Sequence, residues 1–256
     1  MKKSLARAAV LAAAAAGLAL VPAGAAHADS GQTYTATLNS INGSGGSGMV
    51  KLWLNGDNAT VTENWSGLAS TFSGAPYPHV QHIHIGALGQ CPPMSADKNG
   101  DGVISTTEGA PFYGGIGTTL SVKGDTSPAA ATNLQIAPSG SSTNYSRTIT
   151  LDGKTIASLH NGTAVVVVHG LDPSTLSKQA QQEKSDIVPS LPLAATSPAL
   201  CGVLTMAPMG GPQTGAGSTA GIEHGGLFGL GGGLLTAAGA LAWMRRRGLA
   251  AAKSAR

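Results

Sequence analysis

Nine residues, PHVQHIHIG at 78–86, hold three of the seven histidines in a chain of 256 residues. In an extended strand successive side chains alternate between faces, so His82 and His84 point one way and His79 the other. Two imidazoles on one face can bind copper or zinc, but two ligands rarely hold a metal alone. A third partner is offered downstream by AVVVVHG, where His169 ends the most apolar strand-like run in the chain. Taken singly, each of these histidines is explained as an ordinary hydrogen-bonded polar residue.

A second stretch, DKNGDGVISTTE at 97–108, has the spacing of a calcium loop. Calcium takes six to eight hard oxygens on a chain that bends sharply at a glycine. Asp97, Asn99 and Asp101 stand at positions 1, 3 and 5, Gly102 at the turn, the Val103 carbonyl at 7, Ser105 at 9 and Glu108 at 12. The flanking CPPM and GAPFYGG are hostile to long helices, so we expect a loop grafted between strands and not a helix-pair sensor. The other reading is an Asx- and Gly-rich surface turn without metal. The two cysteines, Cys91 and Cys201, pair in number; in an exported protein one intramolecular disulfide is expected, with two buried thiols as the alternative.

The elements that must position these residues read as strands. TYTATLNSI (33–41), MVKLWLN (49–55), ATVTENW (59–65), VQHIHIGAL (80–88), TTLSVK (118–123), SRTITL (146–151), TAVVVVH (163–169) and LCGVLTM (200–206) are β-branched, often alternating, and separated by Gly, Asn, Ser and Pro clusters. The fold class expected is all-β, an antiparallel sandwich or barrel with the calcium-type loop inserted. A helix is expected over 173–185, with Pro173 in its first turn.

The two ends read as targeting segments. Residues 1–28 combine Lys2, Lys3 and Arg7, an apolar run from Ala8 to Val21 and Ala26-His27-Ala28, the pattern of a cleaved signal peptide. The β domain is expected over 29–206, and a Gly/Pro-rich linker over 207–224. Residues 225–247 form a transmembrane or sorting tail that ends in Arg245, Arg246 and Arg247, with a cytoplasmic tail at 248–256. GPQTG at 211–215 resembles the core of a cell-wall sorting signal without its leading Leu, so a sortase acting at Thr214 is one expected partner and the membrane or wall the other. The expected location is the cell surface. Residues 29–206 carry 7 Lys and Arg against 11 Asp and Glu, so the pI near 9.0 belongs to the ends and gives no case for nucleic-acid binding.

As an ordered set, His79-Val80-Gln81-His82-Ile83-His84, Cys91, Val166-Val167-Val168-His169-Gly170 and Cys201-Gly202-Val203 resemble the Cu/Zn superoxide dismutase family. The resemblance implies a Greek-key barrel, His82, His84 and His169 as copper ligands, His79 in a structural role and Cys91–Cys201 as the bridge. It departs from the family in two respects. Residues 92–159 contain no histidine, which removes a zinc site of the family type, and Pro198 stands where the family has its guiding arginine. Arg147, the lone arginine of the domain, does not match that position, and His160 falls outside the family's order along the chain. His82 to Gly86 also resembles the CHRD domain, an extracellular β module without established catalysis.

Two functions follow from these resemblances. The first is a copper-only, superoxide dismutase-like domain acting on superoxide or another small oxidant. The second is a non-catalytic calcium-binding surface module. A hydrolase has little support, because neither G-x-S-x-G nor H-E-x-x-H occurs.

Overall fold

The computed structural model describes residues 31–208. The signal segment, all of the linker beyond residue 208, and the 225–247 tail lie outside them. Eleven strands occur in chain order: β1 (Gln32–Ser40), β2 (Ser47–Asn55), β3 (Asn58–Ser66), β4 (Thr71–Phe72), β5 (Ala75–Pro76), β6 (Gln81–Ile85), β7 (Gly115–Thr119), β8 (Ser142–Thr150), β9 (Val165–His169), β10 (Pro198–Val203) and β11 (Thr205–Met206). Three short helices accompany them: α1 (Thr106–Tyr113), α2 (Gly153–His160) and α3 (Leu193–Thr196). Among the described residues no helix is long and apolar enough to cross a membrane.

The strands are antiparallel and run β7-β6-β9-β10-β1-β2-β3-β8, with β11 beside β1. Consecutive strands are neighbours in the β1-β2-β3 meander and in the β6-β7 and β9-β10 pairs, with β4 and β5 pairing separately, while β3 to β6, β7 to β8 and β8 to β9 cross over, as in a Greek key. Side-chain alternation sets the interior. Val50, Leu52 and Leu54 on β2 and Ala59, Val61 and Trp65 on β3 face inward, while Lys51, Thr62 and Asn64 face out. Together with Tyr34, Leu38, Ile83, Val166, Val168 and Leu200 they form the main core.

The two edge strands, β7 and β8, are joined by a side chain where the ladder stops. Arg147 on β8 donates through Nη1 to Ser121 O and Oγ at 2.6 and 2.7 Å and through Nη2 to Gly124 O at 3.1 Å, on the segment that follows β7. The arginine that did not match the guiding-arginine position therefore links the two edges of the sheet.

β9 is buried along its whole length, and its two faces serve different ends. Val166 and Val168 enter the main core, whereas Val165 and Val167 join Ile41, Ile104, Tyr113 and Cys201 in a second cluster on the outer face. That outer face is where the long connections pack, and it is the face on which His82, His84 and His169 stand.

The helix expected over 173–185 does not form. The chain makes two single 3-10 turns, Pro173–Thr175 and Ala180–Gln182. Asp172 caps the first through Ser174 N, but Leu176 then turns extended at φ −81° and ψ 162° and packs on the core. Burial of that one leucine outweighs the weak helix propensity around it. In contrast, α2 forms where no helix was expected, started by Asp152, whose carboxylate accepts Thr155 N–H at 2.7 Å.

Candidate metal centre

His82 and His84 lie two apart on β6 and His169 ends the neighbouring β9, paired so that Gln81 faces Val168 and His82 faces Val167. The same-face geometry read from the spacing holds, and the inward residue between them, Ile83, is wholly buried in the core. The three rings stand 5.3, 5.5 and 5.9 Å apart, centroid to centroid. One nitrogen from each lies within 4.8 Å of the others, and among the described residues no other group of three His, Cys, Asp or Glu converges in this way.

Each ring is held by a backbone carbonyl. His82 Nε2–H donates to Ala131 O at 3.0 Å, His84 Nδ1–H to Gly114 O at 2.9 Å and His169 Nδ1–H to Thr196 O at 2.6 Å. A carbonyl only accepts, so the bonded nitrogen must carry the proton and the other must present its lone pair. Those others are His82 Nδ1, His84 Nε2 and His169 Nε2, and all three are buried without a hydrogen-bond partner. Three unpartnered lone pairs from three chain positions are costly to bury unless something electrophilic joins them.

Electrostatics agree with this geometry. Burial, then the neighbouring His169, lowers His84 to about 3, and burial lowers His169 to about 4. His82 is lowered well below its ordinary value by burial and by the two other rings. The trio is therefore neutral at pH 7, the protonation state in which imidazole ligates a metal.

The carbonyl holders carry no chemical signature in the sequence. Gly114 has φ 90° and closes α1, and a Cβ there would collide with the carbonyl oxygen of Ile85, so the residue that orients His84 must be glycine. Tyr113 beside it sets its ring edge-on to His84 at 4.6 Å and donates its hydroxyl to Thr106 O at 2.9 Å. The β6–β7 pairing slips between Ile83 and His84, a bulge-like shift of the kind that re-aims a side chain.

His79 is elsewhere. Wholly buried, its Nδ1 lies 2.9 Å from His169 O and its Nε2 2.9 Å from Ala69 O, against the rings of Trp65 and Tyr77. Burial lowers His79 below its ordinary value, and a neutral imidazole has one N–H, so it donates to one of these two carbonyls while its ring packs between the end of β9 and the 69–79 segment. His160 ends α2 in an exposed position and is not part of the trio.

Above the trio is a cavity of about 50 Å³ walled by Val80, Ile116, Leu134, Val188, Leu191 and Thr106 among others, and among the described residues no Asp, Glu, Lys or Arg lines it. Pro198 pairs with His169 across β10 and β9. Cys91 and Cys201 form a disulfide with S–S 2.02 Å, tying the segment after β6 to β10.

The 97–108 loop folds around its own acidic side chains. Asp97 accepts Gly100 N–H at 2.8 Å and Gly102 N–H at 3.0 Å, and Asp101 accepts Val103 N–H at 2.6 Å. Glu108 reaches back to Lys98 N–H at 2.7 Å and Ser105 N–H at 2.9 Å. Ser105 and Glu108 thereby form a capping box that starts α1. Val103 contributes a buried side chain, and Asn99 donates to both Asp101 and Glu183. Glu183 adjoins the loop from a distant segment, a neighbour that the twelve-residue motif did not contain.

No family model matches the chain, and no curated protein matches it. Among solved structures it is similar to superoxide dismutase 5 of Candida albicans in its Cu(II) form, at 16% identity and a TM-score of 0.38, over 74% of this chain and 99% of that one. Two mutants of the same protein match at the same identity and TM-score over 98% and 96% of their length.

Proposed function

We propose that this domain is an extracytoplasmic, copper-binding protein of the superoxide dismutase type, with His82 Nδ1, His84 Nε2 and His169 Nε2 as the ligands. One observation carries the reading: three neutral imidazoles, each fixed by a carbonyl on one nitrogen, present three partnerless nitrogens within 4.8 Å. Imidazole suits copper as well as zinc, and the order of the histidine and cysteine motifs favours copper. Bound there, copper would supply one-electron chemistry by cycling between Cu(II) and Cu(I).

The residues around the trio do the rest. Ala131, Gly114 and Thr196 hold the tautomers, and the apolar walls of the cavity limit access to small molecules. Among the described residues no Lys or Arg lines the cavity, and Arg147 is committed to Ser121 and Gly124, so the cavity wall itself offers no charge to steer an anion. Superoxide consumption is expected, at a rate below that of an electrostatically steered enzyme. Copper-loaded protein should consume superoxide, and His84→Ala and His169→Ala should each abolish the copper-dependent part. A parent no faster than these variants would leave a non-catalytic module as the function.

We read the 97–108 loop as a calcium site built from Asp97, Asn99, Asp101, the Val103 carbonyl, Ser105 and Glu108. In support, Asp97, Asp101 and Glu108 each accept backbone N–H groups of the loop, and Ser105 with Glu108 caps the start of α1, whose C-terminal Gly114 orients His84. Tethering of the domain at the cell surface through residues 225–247, or through a sortase at Thr214, completes the proposal.

A further inference from the structure

Thr196 O accepts two hydrogen bonds, and the second comes from the calcium-type loop. The Thr106 hydroxyl donates to it at 2.6 Å, the same distance as His169 Nδ1–H. A carbonyl oxygen has two lone pairs and can serve both donors. Thr196 ends α3, a helix of four residues, whose last carbonyls have no partner within the helix. The direction of this oxygen is therefore set from outside α3.

Thr106 is half-buried and lines the cavity over the trio. It is the first residue of α1, directly after the Ser105 cap and within the twelve-residue loop. A second bond in the same place keeps it there: Thr107 N–H donates to Asp186 Oδ2 at 2.7 Å. On the opposite side, Thr196 Oγ1 donates to Ser185 Oγ at 2.7 Å. The start of α1 and the 185–196 segment are thus pinned together around the carbonyl that holds His169.

We propose that Thr106 is a positioning residue for the third ligand: its hydroxyl fixes Thr196 O, which keeps His169 in the tautomer and direction that leave Nε2 bare. The loop and the metal centre are then mechanically connected, because the residue that orients His169 is placed by the Ser105–Glu108 capping box. This inference rests on reading the trio as a copper site, although its first effect is on the metal-free protein.

The test compares the full-length parent with Thr106→Val, which keeps the shape and removes the hydroxyl, and Thr106→Ser, which restores the donor. In the metal-free protein, nitrogen NMR of His169 should show a single Nδ1–H tautomer in the parent and in Thr106→Ser, and a mixture in Thr106→Val. With Cu(II), Thr106→Val should change the electron paramagnetic hyperfine pattern and weaken copper affinity about tenfold, the lower end of the range for lost orienting partners of metal-bound histidines, with Thr106→Ser close to the parent. A Thr106→Val protein with the parent's tautomer and the parent's Cu(II) spectrum would overturn the inference. Should the parent take up no copper, the copper reading fails, and the tautomer comparison alone decides the role of Thr106. Thr106→Ala serves the same comparison if circular dichroism shows that Thr106→Val has lost its fold.

Discussion

The three converging histidines were legible in the sequence because strand alternation puts His82 and His84 on one face and because His169 ends a strand. What holds them was not legible, since Ala131, Gly114 and Thr196 act through carbonyls that every residue possesses. Glu63 presents a different case: it shares the parity of Val61 and Trp65 on β3, and the fold puts it inside the barrel. There it is 2% exposed, and neither carboxylate oxygen has a hydrogen-bond partner. Burial pushes it up to about 8, with Gln81 pulling the other way to a smaller extent. Its folded value lies above its unfolded one, so its contribution to stability is intact below about pH 4.5 and is lost as pH rises towards 8. Glu63→Gln should raise the unfolding temperature of the metal-free protein, and the gain should grow between pH 5 and pH 8, approaching about 3 kcal/mol at pH 7. The buried histidines act with the opposite sign, since their folded values are depressed; their share is lost as pH falls from about 6.5 towards 4. Unfolding temperature measured against pH in parent and variant separates the two, and a gain that does not change with pH would show that Glu63 is ionised in the fold.

At the scale of elements, seven of the eight sequence-read strands form with ends shifted by a few residues, because period-two burial in antiparallel sheets leaves a clear pattern, whereas the strand read at 118–123 meets β7 only at Thr118 and Thr119. The helices were read less well. Residues 173–185 lack an apolar face that could hold a helix, and Leu176 is drawn to the core instead, while α2 went unseen although Asp152 and Thr155 mark its start. The 97–108 loop was seen as a ligand set, but its role in capping α1 was not. If the loop binds calcium, saturating calcium should raise the unfolding temperature by several degrees relative to chelator, because a ligand that binds only the native state stabilises it by mass action. Asp97→Ala should remove the difference. Equal midpoints with calcium and with chelator would leave the loop as a hydrogen-bonded cap and nothing more.

At the scale of the whole molecule, strand order could not be derived from local pattern. Pairings such as β3 with β8 and β1 with β10 join residues far apart in sequence, and only the family resemblance pointed to a Greek key. The same long range gives the disulfide its weight. Cys91 and Cys201 are 110 residues apart, and closing such a loop is worth about 4 to 5 kcal/mol in the chain-entropy model. Reduction should therefore shift the denaturant midpoint well below that of the oxidised protein, and an unchanged midpoint would show that the bridge restrains nothing in the unfolded chain. The barrel, the bridge and the outer-face connections converge on one claim, that three histidines from two strands form a copper site. Equilibrium dialysis against copper with the metal then counted in the protein tests it most directly: the parent should retain one copper per chain and the His84→Ala/His169→Ala double variant none, whereas a parent that retains no more than the double variant would contradict it.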